Sequence, residues 1–185
     1  MSVTTGPTLM AGDAVSSPGG ELRDFSFSLQ AGLTYLLGDG EAAKSALMRL
    51  IAGVEKPDSG DVRRSVDSIC RLNPASRTAD TLTGHGWMEG VGARFQSWNA
   101  SLQAALVDEF NLAEHMNKEL FRFSRGSRQK LGLVAAFASN ADLVLLETPY
   151  AGLDGHSAQL LTELLEEASE KPDRDRKSTR LNSSH

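Results

Sequence analysis

The sequence predicts an α/β fold with a parallel sheet. Short apolar segments typical of strands alternate along the chain with segments whose apolar residues recur at helical spacing. The segment LVLLE, residues 143–147, is apolar up to its final acid, as expected for a strand buried on both faces of a parallel sheet. A chain of 185 residues is long enough for one domain with a substantial core.

The first segments of the chain are predicted to form an arm followed by strands. Residues 1–20 are small, polar and glycine-rich, and we expect a loose arm or an early edge strand. The segment LRDFSFSL then alternates, which places Phe25, Phe27 and Leu29 on one face of a half-buried strand. After a turn at residues 30–32, LTYLL is expected to form a short buried strand.

A helix is predicted after the glycine-rich segment that follows LTYLL. In KSALMRLIAGV the apolar residues Leu47, Leu50 and Ile51 recur at helical spacing. Gly53 and Pro57 are the residue types that end a helix.

The middle of the chain is less regular. Brief strands are expected at residues 61–66 and 67–72. The glycines between residues 84 and 92 weaken the helical pattern around Met88. From Ser101 onward, LQAALVDEF is a plausible helix.

Two further helices are predicted in the last third. Ser124 is a suitable N-cap for a helix that runs to about Ser139, and Asp154 for the helix GHSAQLLTELLEEASE. We expect the first helix to turn Leu131, Val134 and Ala135 inward. No strand covers the last helix in the predicted order, so its leucines are expected to be partly exposed, namely Leu160, Leu161, Leu164 and Leu165.

Residues 38–45, GDGEAAKS, match most of the phosphate-loop pattern G-x-x-x-x-G-K-[ST]. In such a loop the backbone N–H groups around Gly38 and Gly40 form an anion nest at a helix N-terminus. Lys44 would reach the terminal phosphates, and the Ser45 hydroxyl would hold Mg²⁺.

Three positions in this loop oppose phosphate binding. Ala43 stands where the pattern has glycine, and Asp39 and Glu41 add negative charge unless both side chains point outward. Taken alone, the segment is equally compatible with a glycine turn that leads into an ordinary helix.

A second set of segments decides between these interpretations. FSRGS at residues 123–127, LVLLE at 143–147 and AGLD at 151–154 follow the loop in a fixed order, and GVEKPDSG lies at 53–60. Together they resemble the nucleotide-binding domain of ATP-binding cassette (ABC) transporters, through its Walker A loop, signature, Walker B strand and D-loop.

The resemblance implies a P-loop NTPase fold of the ABC type for residues 21–174. That fold has a RecA-like parallel-sheet core, a small antiparallel β part and a helical subdomain, here at about residues 75–128. It also implies ATP and Mg²⁺ as cofactors. The implied nucleotide-binding positions are Gly38, Asp39, Gly40, Ala43, Lys44, Ser45, Ser124, Gly126 and Asp154.

The resemblance assigns these positions different roles. Ser124 and Gly126 would contact the γ-phosphate held by a second, facing cassette, and Asp154 belongs to the turn that couples the two sites. Ser45 and Glu147 would hold Mg²⁺, with Glu147 at the place of the usual aspartate.

Thr148 stands at the place of the catalytic glutamate. A threonine hydroxyl cannot accept a proton from water at neutral pH, and a missing general base typically lowers the rate about 10²–10⁴-fold. A bulge that let Glu147 act as the base is the alternative. For the glutamine that senses the γ-phosphate, Asn73 and Gln96 are the candidates, although Gln96 is more simply a surface residue, and the switch histidine has no counterpart.

The resemblance further implies a second cassette, in a homodimer or heterodimer, and an integral membrane permease as partners. The chain would then lie in the cytoplasm on the inner face of the cell membrane. Trp87, Phe95 and Trp98 form either a contact face for that membrane partner or, more simply, helical core.

The leading alternative function is a nucleotide-binding regulatory or structural module that does not hydrolyse ATP. A soluble relative acting on ribosomes or DNA is disfavoured because the formal net charge is −5 and no basic arm is present, so we expect no nucleic-acid partner. A kinase or GTPase would lack FSRGS ahead of the acidic strand.

The two ends of the chain are expected to lie outside the domain. The N-terminus lacks the basic start and apolar core of a secretory signal. Residues 175–185, DRKSTRLNSSH, match one reading frame of a common sequencing adapter, and we interpret them as an artefact that interrupts the domain rather than as a natural polar tail.

Overall fold

The computed structural model of the protein describes residues 7–73 and 76–170. The adapter-like tail at residues 175–185 lies outside the described residues. In chain order the elements are β1 (Thr8–Ser16), β2 (Phe25–Gln30), α1 (Glu41–Ala52), β3 (Ser59–Arg64), β4 (Ile69–Arg71), α2 (Gly84–Gly92), α3 (Ala100–Glu109), α4 (Arg125–Ala138), β5 (Leu143–Leu145) and α5 (Gly155–Glu170). Two short 3₁₀ turns, Ala113–His115 and Leu120–Arg122, connect α3 to α4.

The strands form two separate sheets. One is antiparallel with the order β2-β1-β3, and the other is the parallel pair β4-β5. The predicted α/β class is confirmed, with a small antiparallel part beside a parallel one and the helices between and after them.

Of the two expectations for residues 1–20, a loose arm or an early edge strand, a strand is observed in the described part, but it does not lie at an edge. Residues 8–16 are β1, the central strand of the antiparallel sheet, and the side chains of Met10 and Val15 are fully buried. The register shifts between Gly12 and Val15, where Ala14 has a φ of 49°. This bulge breaks the alternation of apolar and polar residues that would have marked a strand in the sequence.

The prediction of a buried strand at LTYLL is also wrong. Residues 33–37 have no regular secondary structure, and the side chains of Tyr35 and Leu37 are 66% and 86% exposed. Neither sheet of the described residues extends to this segment. Apolar composition is not enough to form a strand, because its backbone hydrogen bonds require a neighbouring strand.

Helix α1 confirms the predicted helix after the glycine-rich segment. Leu47, Leu50 and Ile51 are buried on one face. The helix ends at Gly53, whose φ of 71° lies in the left-handed region that glycine accepts without strain.

The parallel pair β4-β5 confirms the strand predicted within LVLLE, although only residues 143–145 take part. Its register pairs Ile69 with Leu143 and Arg71 with Leu145. The Asp142 carboxylate accepts hydrogen bonds from the N–H of Ser68 at 2.9 Å and from its hydroxyl at 2.9 Å, which fixes the start of the pair.

The helices of the middle region form in spite of their glycines. Thr83 caps α2 by accepting a hydrogen bond from the N–H of Gly86, and Asn99 caps α3 in the same way from Leu102. Ser124 caps α4, as predicted, by accepting a hydrogen bond from the N–H of Ser127. Local caps therefore set these helix starts where the apolar pattern is weak.

The expectation of partly exposed leucines on the last helix is wrong for three of the four. In α5, Leu161 is fully buried, Leu164 and Leu165 are buried, and Leu160 is half-buried. These side chains pack into the helical core cluster that also contains Leu112. The other helices therefore cover the apolar face of α5, which was expected to need a strand.

Two hydrophobic clusters form the core. The first joins α2, α3, α4 and α5, and Trp87, Phe95 and Trp98 pack against it as half-buried side chains. The second joins β1, α1 and β5 through Met10, Leu47, Leu50 and Leu145. The helical cluster extends past residue 128, and the predicted subdomain boundary at about residues 75–128 stays a prediction.

The position of β1 at the centre of a sheet generates a stability prediction. Met10→Ala is expected to lower the free energy of unfolding by about 2–5 kcal/mol, because the side chain is fully buried and leaves a cavity. Thr8→Ala, at an exposed position of the same strand, serves as the control and should change stability by less than about 0.5 kcal/mol. Denaturant unfolding measures both, and equal stability of the two variants would contradict the buried strand.

Candidate functional site

The candidate phosphate loop leads directly into α1. Gly40 is the N-cap of the helix and provides no side-chain cap, so the first-turn N–H groups lack a side-chain acceptor from the cap. Residues 38–40 are exposed, and Gly38 has a φ of 153°. An uncapped, exposed helix start presents partial positive charge to an anion.

Ala43 does not strain this loop. It lies inside α1, outside the positive-φ region, and its side chain is half-buried against the core cluster that contains Leu47. The departure from glycine in the phosphate-loop pattern therefore has no backbone penalty here.

Lys44 forms an ion pair within the loop. Its Nζ lies 2.5 Å from Oε1 of Glu41, one helical turn earlier, and the two side chains are 27% and 74% exposed. Glu41 therefore turns toward Lys44 rather than away from the loop, while Asp39 is exposed. The pair reduces the positive charge available to a phosphate, although it is exposed enough to be weak.

Helix α1 connects the loop to the strand that carries Glu147. Leu47 and Leu50 of α1 share one core cluster with Leu145, the last residue of β5. Glu147 follows Leu145 by two residues. The structure thus packs the helix of the phosphate loop against the Walker B-like strand, as expected for two halves of one site.

Glu147 is already engaged by a cation from the neighbouring strand. Nε and Nη2 of Arg71 both donate hydrogen bonds to Oε1 of Glu147, at 2.9 and 2.6 Å. The two side chains are 21% and 35% exposed. The pair is thus partly sheltered from water, and a charge-assisted bond of this kind is stronger than one between neutral groups.

The residues as arranged do not fit a magnesium ion. A hydroxyl at Ser45 and a carboxylate at Glu147 are the oxygen ligands that Mg²⁺ prefers. The carboxylate, however, already accepts two hydrogen bonds from the positively charged side chain of Arg71. We therefore assign no step to a metal.

Thr148 occupies a strained position. Its φ is 43°, in the left-handed region that β-branched residues rarely adopt, and its carbonyl accepts a hydrogen bond from the N–H of Ala151. The parallel register of β4 and β5 is regular up to Leu145, and a bulge after that residue that lets Glu147 act as the base stays a prediction. In the geometry observed, Glu147 is paired with Arg71, so it is not a free general base.

The signature-like segment FSRGS and the turn AGLD lie against each other. A Cβ added to Gly126 would lie 2.5 Å from the carbonyl oxygen of Gly152, so only glycine fits. Gln129 of α4 donates a hydrogen bond to the carbonyl oxygen of Pro149 at 3.0 Å. The start of α4 is thus fixed to the loop that follows β5.

Asp154 has two structural roles at this contact. Its Oδ2 lies 2.6 Å from Nζ of Lys130 on α4, and its Oδ1 accepts a hydrogen bond from the N–H of Ser157 in the first turn of α5. The hydrogen bond from Lys130, followed by that from the Ser157 N–H, lowers the pKa of the Asp154 carboxyl. The predicted cap of the last helix is confirmed by this geometry.

The two γ-phosphate-sensing candidates lie in different surroundings. Asn73 follows β4 by two residues, on the same strand end as Arg71. Gln96 is exposed in the link between α2 and α3, which agrees with a surface residue. A role for Asn73 stays a prediction.

Sequence reasoning missed Arg71 and Lys130. Arg71 stands in the strand segment SICRL, and an arginine within an apolar segment is itself a signal, because a sheltered guanidinium requires a carboxylate partner. Lys130 looks like an ordinary surface lysine in sequence, and its side chain is only 14% exposed.

Comparison with known families gives one clear match. The profile of the family described as ABC transporter matches residues 22–151, well over half of the chain. The Fe(3+) ions import ATP-binding protein FbpC 2 of Haemophilus influenzae is 30% identical over 159 residues, which are 75% of this chain and 44% of that protein. The taurine import ATP-binding protein TauB of Pseudomonas aeruginosa is 30% identical over 158 residues, 78% of this chain and 59% of that protein.

Solved structures show the same fold. A structure described as the ATP binding subunit of an ABC transporter superposes with a TM-score of 0.76 at 21% identity, covering 89% of this chain and 76% of the other. The protein cbiO1 of Clostridium perfringens, described as part of the ABC transporter complex cbiONQ, gives a TM-score of 0.62 at 16% identity, covering 89% and 75%. The predicted P-loop NTPase fold of the ABC type is thereby confirmed.

The contact between Gly126 and Gly152 generates a prediction. Gly126→Ala is expected to lower the free energy of unfolding by about 1–3 kcal/mol, because its methyl group meets a backbone carbonyl that cannot move freely. Gly90→Ala is the control, since nothing lies within 4 Å of its added Cβ in helix α2, and it should raise stability by about 0.5–1 kcal/mol. Thermal or denaturant unfolding compares them, and a neutral Gly126→Ala would show that α4 is not tied to the turn.

Proposed function

The chain belongs to the ABC transporter family, and we propose that it is an ATP-binding subunit of a transporter. The observation that carries the proposal is the uncapped start of α1 at Gly40, with Lys44 in its first turn and the Walker B-like strand packed against the same helix. Amides of a helix start together with one lysine are the elements that bind a nucleotide triphosphate.

The site of each cassette is proposed to be completed by a second one. The N-terminus of α4, with the exposed Ser124 and the half-buried Gly126, would face the γ-phosphate held by a partner copy or a related cassette. The proposal is supported by the rigid attachment of this segment to the turn that ends at Asp154. The chain spans only 44% of FbpC 2 and 59% of TauB, so their further segments have no counterpart in this comparison.

The proposed partner in the membrane is a separate permease. Among the described residues, none of the helices combines the length and the apolar character that a membrane span requires. Because the chain belongs to the ABC transporter family, the subunit is proposed to act on the inner face of the cell membrane through that permease. Closure of the two cassettes on ATP would supply the motion that the permease uses.

Hydrolysis by this chain's own site is proposed to be weak. Thr148 supplies no general base, and Glu147 is held by Arg71. Loss of a positioned base lowers a rate about 10²–10⁴-fold. The chain would then contribute its signature segment to a partner's site more effectively than its own site hydrolyses ATP.

A second candidate is a nucleotide-binding regulatory module that does not hydrolyse at all. The ion pair between Glu147 and Arg71 favours it, because the one carboxylate at the end of β5 is neutralised. The two candidates share the nucleotide site and differ in the fate of the γ-phosphate.

Nucleotide binding is tested with Lys44→Ala. Titration with a fluorescent ATP analogue should give saturable binding to the wild-type chain and at least about tenfold weaker binding to the variant, since a charge-assisted bond to phosphate is lost. Lys56→Ala, at an exposed position after α1, is the matched control and should bind as wild type. Equal binding by Lys44→Ala and wild type would contradict the proposed site.

The ion pair between Glu41 and Lys44 predicts a change in nucleotide affinity opposite in direction to that of Lys44→Ala. Glu41→Gln is expected to tighten binding of the analogue about two- to fivefold, because it releases Lys44 and removes one negative charge. Glu89→Gln removes an exposed charge on α2 and controls for net charge. Weaker binding by Glu41→Gln would mean that the pair supports the loop instead of opposing the ligand.

Phosphate release separates weak hydrolysis from ordinary turnover. At saturating ATP the wild-type chain is expected to release phosphate at least about 10²-fold more slowly than the median enzyme rate of about 10 s⁻¹. No release above the Lys44→Ala background favours the regulatory module. Sustained release near the median rate would show that Thr148 and Glu147 do not limit the chemistry.

A further inference from the structure

Arg71 brings a fixed positive charge to the carboxylate that the family resemblance assigns to magnesium. It is the last residue of β4, and its partner in the parallel register is Leu145, two residues before Glu147. Strand pairing therefore brings Arg71 next to the segment that follows β5, in which Glu147 lies.

The geometry of the pair holds a positive charge directly against the carboxylate that a second cation would have to approach. Both Nε and Nη2 of Arg71 donate to the same atom, Oε1 of Glu147, at 2.9 and 2.6 Å. Both donors belong to the Arg71 side chain, which is 21% exposed. A divalent ion at this carboxylate would face the repulsion of a fixed positive charge at close range, and Mg²⁺ also demands an octahedral shell of oxygen atoms.

We propose that Arg71 takes the place of the divalent cation at Glu147, so that the chain binds the nucleotide without a requirement for magnesium. The inference rests on the proposed function, since it concerns the same nucleotide site. It assigns Arg71 to the site as a positioning residue, one that fixes and neutralises Glu147 beside the bound phosphates.

The alternative is an ion pair that opens whenever nucleotide and metal arrive together. In that case Arg71 would only stabilise the strands in the free protein. The two possibilities differ in the dependence of nucleotide affinity on magnesium, and in the number of metal ions retained by the complex.

The test is a titration with the fluorescent ATP analogue in excess EDTA and in excess MgCl₂, on the whole chain. For the wild-type chain we expect the two dissociation constants to agree within about threefold. For Arg71→Gln we expect binding at least about tenfold tighter in magnesium than in EDTA, because the freed carboxylate can then serve a metal. Arg77→Gln is the matched control, since that guanidinium is 85% exposed and lies near Asp80 rather than Glu147.

A second readout counts metal directly. Electron paramagnetic resonance measures how much Mn²⁺ the protein binds in the presence of the analogue, beyond the Mn²⁺ bound without protein. For the wild-type chain we expect no such additional Mn²⁺. For Arg71→Gln we expect about one Mn²⁺ per molecule, because one carboxylate is released. The wild-type titration alone shows whether binding requires magnesium, even if Arg71→Gln does not fold.

The outcomes separate this inference from the proposed function. Wild-type affinity that rises more than about tenfold with magnesium overturns the inference and leaves nucleotide binding intact. If the nucleotide affinity of wild type and of Arg71→Gln depends on magnesium to the same extent, the inference is also overturned and nucleotide binding stays intact. Absence of saturable binding in both solutions, for the wild-type chain and the Arg77→Gln control alike, overturns the proposed function and the inference with it.

Discussion

The parallel pairing of β4 and β5 is the constraint on which the candidate site depends. Three residue pairs, from Ile69 with Leu143 to Arg71 with Leu145, bring together segments more than 70 positions apart in sequence. The Asp142 carboxylate fixes the start of this pair on Ser68. The pair also lies between the two core clusters, because Leu145 packs under α1 and Leu146 packs against the helical cluster. A shift of one residue in the register would turn Glu147 away from Arg71 and expose the apolar face.

Local chemistry made part of the fold predictable. The glycine at each end of α1 and the serine before α4 each mark a helix end through their own residue type. The structure confirms these three helix ends. The antiparallel sheet was harder to predict, because a bulge at Ala14 interrupts the alternation of apolar and polar residues in β1. The segment LTYLL was predicted incorrectly for the opposite reason: it has the composition of a strand but no neighbouring strand in the described residues. Strand formation depends on pairing with distant residues, which composition does not encode.

The same distinction applies to the candidate site. The loop GDGEAAKS, the segment FSRGS and the acid at the end of LVLLE could all be found in the sequence, because each is a short pattern with a mechanism. The ion pairs of the site could not be found in the sequence. Glu41 and Lys44 are near neighbours whose ion pair depends on the side-chain rotamers, whereas Arg71 and Glu147 meet only through the sheet. Gly126 was assigned to phosphate binding by resemblance, and the structure adds an independent reason for glycine there, its contact with the Gly152 carbonyl.

The proposed nucleotide site depends most on the exposed segment that leads into α1, with Lys44 in the first turn of that helix. Hydrogen exchange of the backbone amides, with and without a non-hydrolysable ATP analogue, tests that dependence most directly. On analogue binding, exchange is expected to slow at residues 40–45 and to change little across α2 at Gly84–Gly92. Unchanged exchange at residues 40–45 at an analogue concentration that saturates binding would contradict the proposed site.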